Sequence, residues 1–334
     1  CYKVDYHLMP DLPGSCYEVD KIMFESILEV WNLNQIPNID FRKLILSLVI
    51  SFTLYLCINN LIISFTSFMF IMWNQNYKIY NLAHPELQAD QWKIYPTEVT
   101  RWTKIYDWYN EGKYKPYAED KLDGSNYNKL TTLILSVKVN VFPWIRLNRV
   151  IRDIPDAEIY GGNSCTNLRQ HLHQILKDNG QYCKCIRCRE VKNKKIAEND
   201  VKEVVRVYNG LEGTEYFISM ESIDEKTLYG FCRLRINENN NDVMKILHNC
   251  ALIRELHVYG VMTPHYSQKN TRTQHHGFGK LMLKKAEQIA YMNGVRKMAI
   301  ISGVGVRQYY EKRGYHLDSN FMIKALTFQD SFLY

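Results

Sequence analysis

Gly277 and Gly279 flank Phe278 in the run Gln274-His275-His276-Gly277-Phe278-Gly279, which stands between an extended apolar stretch at residues 252–258 and the start of an amphipathic helix. Glycines placed there let the backbone approach an anion with no Cβ in the way. The first N–H groups of the following helix then meet it with the positive end of the helix dipole. Such a turn is suited to holding a pyrophosphate. A second constellation is Cys183-x-Cys185-x-x-Cys188, three thiols within six residues, which is metal-ligand spacing and a strained place for a disulfide. A tetrahedral set needs a fourth ligand, and Cys165, His171 and His173 are candidates that the sequence leaves unranked. The third is cationic. Between residues 183 and 195 six basic residues, Lys184, Arg187 and Arg189 among them, face one acid, Glu190, and Arg146, Arg149, Arg152 and Arg169 lie upstream. Nucleic-acid phosphate suits such a stripe, and a merely solvated surface is the alternative.

These groups need elements to position them. Phe278, Leu281, Met282, Ala286, Ile289 and Ala290 recur at helical spacing while Lys280, Lys284, Lys285 and Glu287 fall off that face, which predicts a helix packed on a sheet. Residues 297–302 read as a short apolar strand punctuated by Gly303 and Gly305, and residues 306–313 as a helix stopped by Gly314. Strand, glycine turn, helix, strand, helix is the order a coenzyme A site needs. In such a site a phenol from the last helix can protonate the leaving thiolate, and chain order offers Tyr309 or Tyr310, the other being core packing. Upstream, strands are expected at 4–8, 92–95 and 144–149, and helices at 17–30, 103–109, 127–137 and 166–178. A helix is expected to begin near Val201, followed by strands at 215–220 and 228–236. The alternation is that of an α/β protein.

Composition permits this without deciding it. The chain has 334 residues, room for two modest domains, with 46% apolar and 23% charged residues, and 42 basic against 35 acidic groups give +7, a mild tilt toward anionic partners. Nine cysteines, an odd and scattered number with no signal peptide, exclude a secreted disulfide framework.

Longer runs carry a family resemblance. IRELHVYG at 253–260, QHHGFGKLMLKKAEQIA at 274–290 and ISGVGVRQYYEKRGY at 301–315 closely resemble the GNAT-type acetyltransferase domain of Elongator catalytic subunits, the tRNA uridine acetyltransferases. YHLMPDLPGSCYEVD at 6–20, WKIYPTEV at 92–99 and NRVIRDIP at 148–155 resemble the second half of that family's radical S-adenosylmethionine barrel. The resemblance implies three parts: the C-terminal part of a (β/α) barrel over 1–190, a metal-binding basic linker at 183–195, and an α/β acetyltransferase domain over 196–334. The implied activity is acetyl-coenzyme A-dependent modification of the tRNA wobble uridine toward 5-carboxymethyluridine. In that scheme Glu255, Leu256, His257 and Val258 line the pantetheine, Gln274, Gly277, Phe278 and Gly279 hold the pyrophosphate, and Tyr309 closes the thiol end with Tyr310 as its alternative. Glu255 and His257 are candidate bases, His275 and His276 loop residues, and Lys93 a candidate contact in the barrel lumen. The resemblance also favours zinc on Cys183, Cys185 and Cys188 as a clasp, and tRNA on Arg146, Arg149, Arg152, Lys184, Arg187 and Arg189. Further Elongator subunits or a second copy are the implied protein partners, and the cytoplasm or nucleus the implied location. A stand-alone protein lysine N-acetyltransferase and a non-catalytic RNA-binding fragment are the alternatives.

The chain departs from the family pattern twice. Radical S-adenosylmethionine enzymes hold a four-iron cluster on a Cys-x-x-x-Cys-x-x-Cys type run, and no such run occurs here. With its abrupt opening at Cys1, the chain reads as a fragment, or as a gene model missing its first exons, that would not assemble the cluster. Residues 31–82 form an apolar insertion, with no charged residue or histidine from Leu44 to Tyr77. Residues 44–73 as a helix would span about 45 Å, enough to cross a bilayer. A translated AT-rich intron is the competing reading, because a spanning helix would cut the barrel in half.

Overall fold

The computed structural model describes residues 3–30, 77–192, 200–237, 244–260 and 277–329. The proposed spanning segment at 44–73 and the residues Gln274, His275 and His276 lie outside them. No helix among the described residues is long and apolar enough to cross a membrane.

The first half is built on three parallel strands, β1 (Asp5–Leu8), β3 (Gln91–Ile94) and β5 (Arg146–Arg149), in the order β1-β3-β5. Parallel pairing requires crossovers, and helices stand in them: α1 (Tyr17–Leu28) between β1 and β3, and α2 (Lys104–Asn110) and α3 (Lys129–Asn140) between β3 and β5, while α4 (Leu168–Asp178) follows β5. Local signals set the helix starts. The Thr103 side chain accepts from the Tyr106 N–H at the start of α2, and Asn128 does the same for Thr131 at the start of α3. Trp92, Ile94 and Leu147 from the sheet and Leu130, Ile134 and Val137 from α3 are buried in one core. A two-stranded antiparallel pair, β4 (Glu98–Thr100) with β6 (Ile159–Gly162), stands apart from these strands.

The second half is an eight-stranded sheet in the order β12-β13-β11-β10-β9-β8-β7-β2. Its centre is a meander of β7 (Val201–Gly210), β8 (Gly213–Ser222) and β9 (Leu228–Asn237), continued by β10 (Ala251–Val258), β11 (Lys297–Ile301), β12 (His316–Asp318) and β13 (Phe321–Ala325). The helix expected near Val201 is therefore a strand. Its valines are β-branched, and ten cross-strand pairs with β8, from Val201↔Ser222 to Gly210↔Gly213, outweigh any local helical spacing. The tail of the insertion is also ordered: β2 (Tyr77–Tyr80) pairs in parallel with β7 at the sheet edge.

Two helices of the second half carry the site. One is α6 (Phe278–Met292), and the other is the short α7 (Arg307–Glu311); the four-residue α5 (Ile186–Arg189) lies in the cysteine loop. On α6 the buried arc is shifted from the expected one. Leu281 is 48% exposed, whereas Leu283 is buried, because the sheet packs on the flank carrying Leu283 and Glu287. Glu287 is buried there with partners, accepting from the Tyr315 hydroxyl at 2.7 Å and from Lys324 Nζ at 3.1 Å.

The two halves meet through buried ion pairs. Asp90, before β3, pairs with Arg254 at 2.7 Å and Arg233 at 3.2 Å, and Arg254 also reaches Glu215 at 3.0 Å. Arg233 donates to the Trp144 carbonyl at 2.7 Å as well. Although burial opposes it, Arg233 and Arg254 hold the Asp90 carboxyl down to about 2.

Candidate functional site

Strand β10 is the floor of the candidate coenzyme site. It pairs in parallel with β11 only at Ala251, Leu252 and Ile253, while its antiparallel pairing with β9 runs on to Val258. Past Ile253 the β11 side of β10 therefore has no strand partner among the described residues, and its backbone amides open into a wedge. A bulge between Ile253 and Glu255 re-aims the side chains. Arg254 and Glu255 both turn to the barrel side, where Glu255 pairs with Lys3 and Arg233. Leu256 and Val258 pack instead on the apolar cluster beneath α6.

At the mouth of the wedge, Gly277 takes the left-handed conformation at φ 71° and hands the chain to α6. Nothing lies within 4 Å of where its Cβ would be, so glycine is required there by backbone conformation and not by crowding. Gly279 is required for space. A Cβ on it would stand 2.9 Å from the Tyr309 hydroxyl oxygen and 3.6 Å from Val258 Cγ2. The glycine turn, the strand floor and a phenol from α7 thus converge, and the helix start presents amides that lack intrahelical partners.

The two tyrosines separate clearly. Tyr310 is buried in the core against Tyr315, whereas Tyr309 is half-buried with its hydroxyl at the turn. Burial pushes the Tyr309 phenol upward, partly offset by Arg313, whose guanidinium lies 3.5 Å from the ring centroid. A phenol so held keeps its proton at neutral pH, as a general acid must. His257 sits against Tyr259, ring centroids 4.4 Å apart, and burial with Arg146 and Lys3 keeps it below its ordinary value. Glu255, paired with Lys3 and Arg233, and His257, against Phe231 and Tyr259, are the candidate bases, and both lie on the face of β10 away from Leu256 and Val258.

The three cysteine sulfurs lie within 4.8 Å of one another, a spacing that fits a shared metal ion. The three candidate fourth ligands are not gathered with them. His171 and His173 are on the exposed side of α4, and Cys165 Sγ meets Asn167 at 3.3 Å. The neighbours of Cys188 are cations, Lys138 Nζ at 3.7 Å and Arg169 at 3.9 Å. Hydrogen bonds from the Cys183 and Cys185 thiols, together with these cations, hold Cys188 below an ordinary thiol despite its burial.

The expected RNA contacts scatter. Arg149, paired with Asp153, and Arg187 are exposed; Arg146 is held by Glu190 and by the Tyr259 hydroxyl. Arg152 stacks 5.4 Å from the Tyr95 ring centroid. Arg189 is 3% exposed, donating to the Pro143 carbonyl and paired with Glu221 at 2.9 Å, so it braces the fold and presents nothing to an RNA backbone. Lys184 lines a pocket with Lys78 and Arg206. Lys93 faces Asp5 at 2.6 Å and His7 at 3.1 Å, in register with His7 across the parallel pair.

Sequence reading missed one titrating group here. Glu98 is buried with neither oxygen in a hydrogen bond of good geometry, and burial pushes it up to about 7 against the pull of Asn163 and Arg152. The signal was a single acid inside the apolar strand run IYPTEV.

Residues 89–178 match the Radical_SAM C-terminal domain family. The chain is 36% identical over 248 residues to Elongator complex protein 3 of Drosophila melanogaster, covering 73% of this chain and 44% of that protein. It is 37% identical over 248 residues to the human protein of the same name, with the same shares. To the tRNA uridine(34) acetyltransferase of Methanocaldococcus jannaschii it is 31% identical over 334 residues, 97% of this chain and 50% of that protein. The chain thus spans about half the length of the curated relatives it matches. A solved structure of the archaeal Methanocaldococcus infernus Elp3 lacking its N-terminus matches 97% of this chain and 63% of that one, at 29% identity and a TM-score of 0.68. The α/β fold resembles that structure over nearly the whole chain.

Proposed function

This chain is a homologue of Elongator complex protein 3 and tRNA uridine(34) acetyltransferase over about half their length, and from that premise we propose that it binds acetyl-coenzyme A in the wedge between β10 and β11 and activates its acyl group for tRNA wobble-uridine modification. The observation that carries the reading is the convergence of Gly279, Val258 and the Tyr309 hydroxyl at the start of α6. The α6 amides and dipole receive the pyrophosphate, and the open β11 side of the Glu255–Val258 backbone pairs with the pantetheine amides. Tyr309 donates its hydroxyl proton to the departing coenzyme A sulfur, so the leaving group departs as a thiol. Tyr310 holds the helix that carries Tyr309.

In this reading acetyl-coenzyme A is the acyl donor and tRNA the acceptor, met at the exposed Arg149 and Arg187 and at Lys184. Zinc on Cys183, Cys185 and Cys188 is the proposed clasp: three soft donors at metal spacing fit it, and a bound ion would fix the turn of the loop whose Cys183 and Cys185 pack in the core of the first half. The radical chemistry of the family needs an iron-sulfur cluster on a cysteine run that these 334 residues do not contain. Other Elongator subunits or a second copy are the proposed partners, and the cytoplasm the proposed location.

The test is acetyl-coenzyme A hydrolysis by the purified chain with and without tRNA. Turnover that depends on Tyr309 and responds to tRNA is expected. Turnover indifferent to tRNA, together with acetylation of a lysine peptide, would replace this reading with protein acetylation.

A further inference from the structure

Away from the coenzyme wedge, strand β2, the end of α3 and the cysteine loop enclose a pocket of about 290 Å³. Lys78 and Tyr80 of β2, Phe142, Tyr182, Lys184 and the buried Arg206 line it. Five cations gather here around two carboxylates. Lys78, Lys202 and Arg206 all bind Glu225, at 2.6, 2.9 and 2.9 Å, and Arg206 and Arg189 bind Glu221 at 2.6 and 2.9 Å. Lys184 has no carboxylate partner among the described residues. Arg206 is 1% exposed, yet its Nε has no hydrogen-bond partner, a buried donor in want of an acceptor. Aromatic rings share the lining, Tyr80 and Phe142 backed by Trp144. Tyr80 meets Trp144 edge-on at 4.8 Å, Phe142 and Trp144 stack at 4.6 Å, and Tyr182 stands at the rim, 37% exposed, with Lys226 Nζ 5.3 Å from its ring centroid.

Excess positive charge calls for an anion, and flat rings at the rim call for a planar group. A nucleotide supplies both, a phosphate dianion and a base, within a pocket of this size. A carboxylate or sulfate would satisfy the charge and leave the rings unused. We propose that this pocket binds a phosphate-bearing nucleotide, with its phosphate against Lys184 and Lys78 and its base on Tyr182. The site shares no residue with the coenzyme wedge; it shares Lys184 with the proposed tRNA contacts, and binding of the free monophosphate tests it apart from them. Its occupant is a free mononucleotide or one nucleotide of an RNA strand.

The test is isothermal titration of the full chain with excess coenzyme A present, so that any nucleotide affinity of the wedge is saturated. The probes are uridine 5′-monophosphate, uridine, inorganic phosphate and hexauridylate. The monophosphate is expected to bind and uridine not, with Lys184→Gln and Tyr182→Ala each weakening binding about tenfold. Hexauridylate binding that is lost in the same variants while the monophosphate does not bind assigns the site to an RNA strand. The proposal is overturned if neither the monophosphate nor hexauridylate binds, if the variants bind as the parent does, or if phosphate alone binds as tightly as the monophosphate. Tyr182 faces solvent, so its variant, checked by an unchanged unfolding midpoint, carries the test even where Lys184→Gln disturbs the cysteine loop.

Discussion

The Tyr309 hydroxyl oxygen stands 2.9 Å from the point where a Cβ on Gly279 would lie, so the first turn of α6 and the phenol of α7 are fitted to each other across the mouth of the wedge. That contact makes both residues sensitive to change in different ways.

Tyr309→Phe removes the proton donor and keeps the packing. Hydrolysis of acetyl-coenzyme A by the variant is expected to fall by about 10²-fold or more, the usual scale for a general acid, with coenzyme affinity unchanged. Tyr310→Phe removes a hydroxyl from a core ring and is expected to keep most of the activity. Equal loss in both would assign the effect to packing.

Gly279→Ala places a methyl group against the Tyr309 hydroxyl and is expected to weaken coenzyme A binding and turnover together. Gly277→Ala meets no atom but must adopt the left-handed conformation, at roughly 1–2 kcal/mol. Comparing unfolding midpoints with coenzyme titrations for the two variants separates the causes: the first changes binding most, the second stability.

Asp90 balances two buried arginines of the second sheet. Asp90→Ala leaves Arg233 and Arg254 short of a charge partner and is expected to cost about 3–5 kcal/mol, read from urea unfolding. The depressed carboxyl also sets an acid limit. Its stabilisation is present in full above about pH 4, the ordinary aspartate value, and is lost as pH falls through about 2.

Glu98 shifts in the opposite direction, so its dependence on pH is reversed. A carboxyl raised to about 7 stabilises the fold while protonated, fully below its unfolded value near 4.5, and that contribution fades as pH rises through about 7. The parent is expected to lose roughly 3 kcal/mol between pH 4 and pH 8 from this group, at about 1.36 kcal/mol per pKa unit. Glu98→Gln is expected to flatten that part of the profile, and a parallel profile for the variant would refute the assignment.

Metal analysis of the purified chain is expected to give one zinc per chain, reduced to near zero by Cys185→Ser. Chelation is expected to lower the unfolding temperature of the parent and leave that of the variant unchanged.

The sequence by itself determined what depends on near neighbours. The glycine turn before α6, the strand and helix order around it, the capped starts of α2 and α3 and the thiol trio all rest on contacts a few residues apart, and each is legible as a pattern. Where the local pattern was ambiguous, pairing decided, as at β7, whose valines became a strand through ten pairs with β8. Tertiary structure alone chose Tyr309 over Tyr310, because adjacent helical residues point about 100° apart and only one of them meets Gly279. It also decided which charges are free. Arg254 finds Asp90 across 164 residues, and Arg189 is consumed by carbonyls and Glu221, partnerships with no spacing to read. Charge is a property of the residue, whereas availability depends on burial and on partners that only the folded chain brings together.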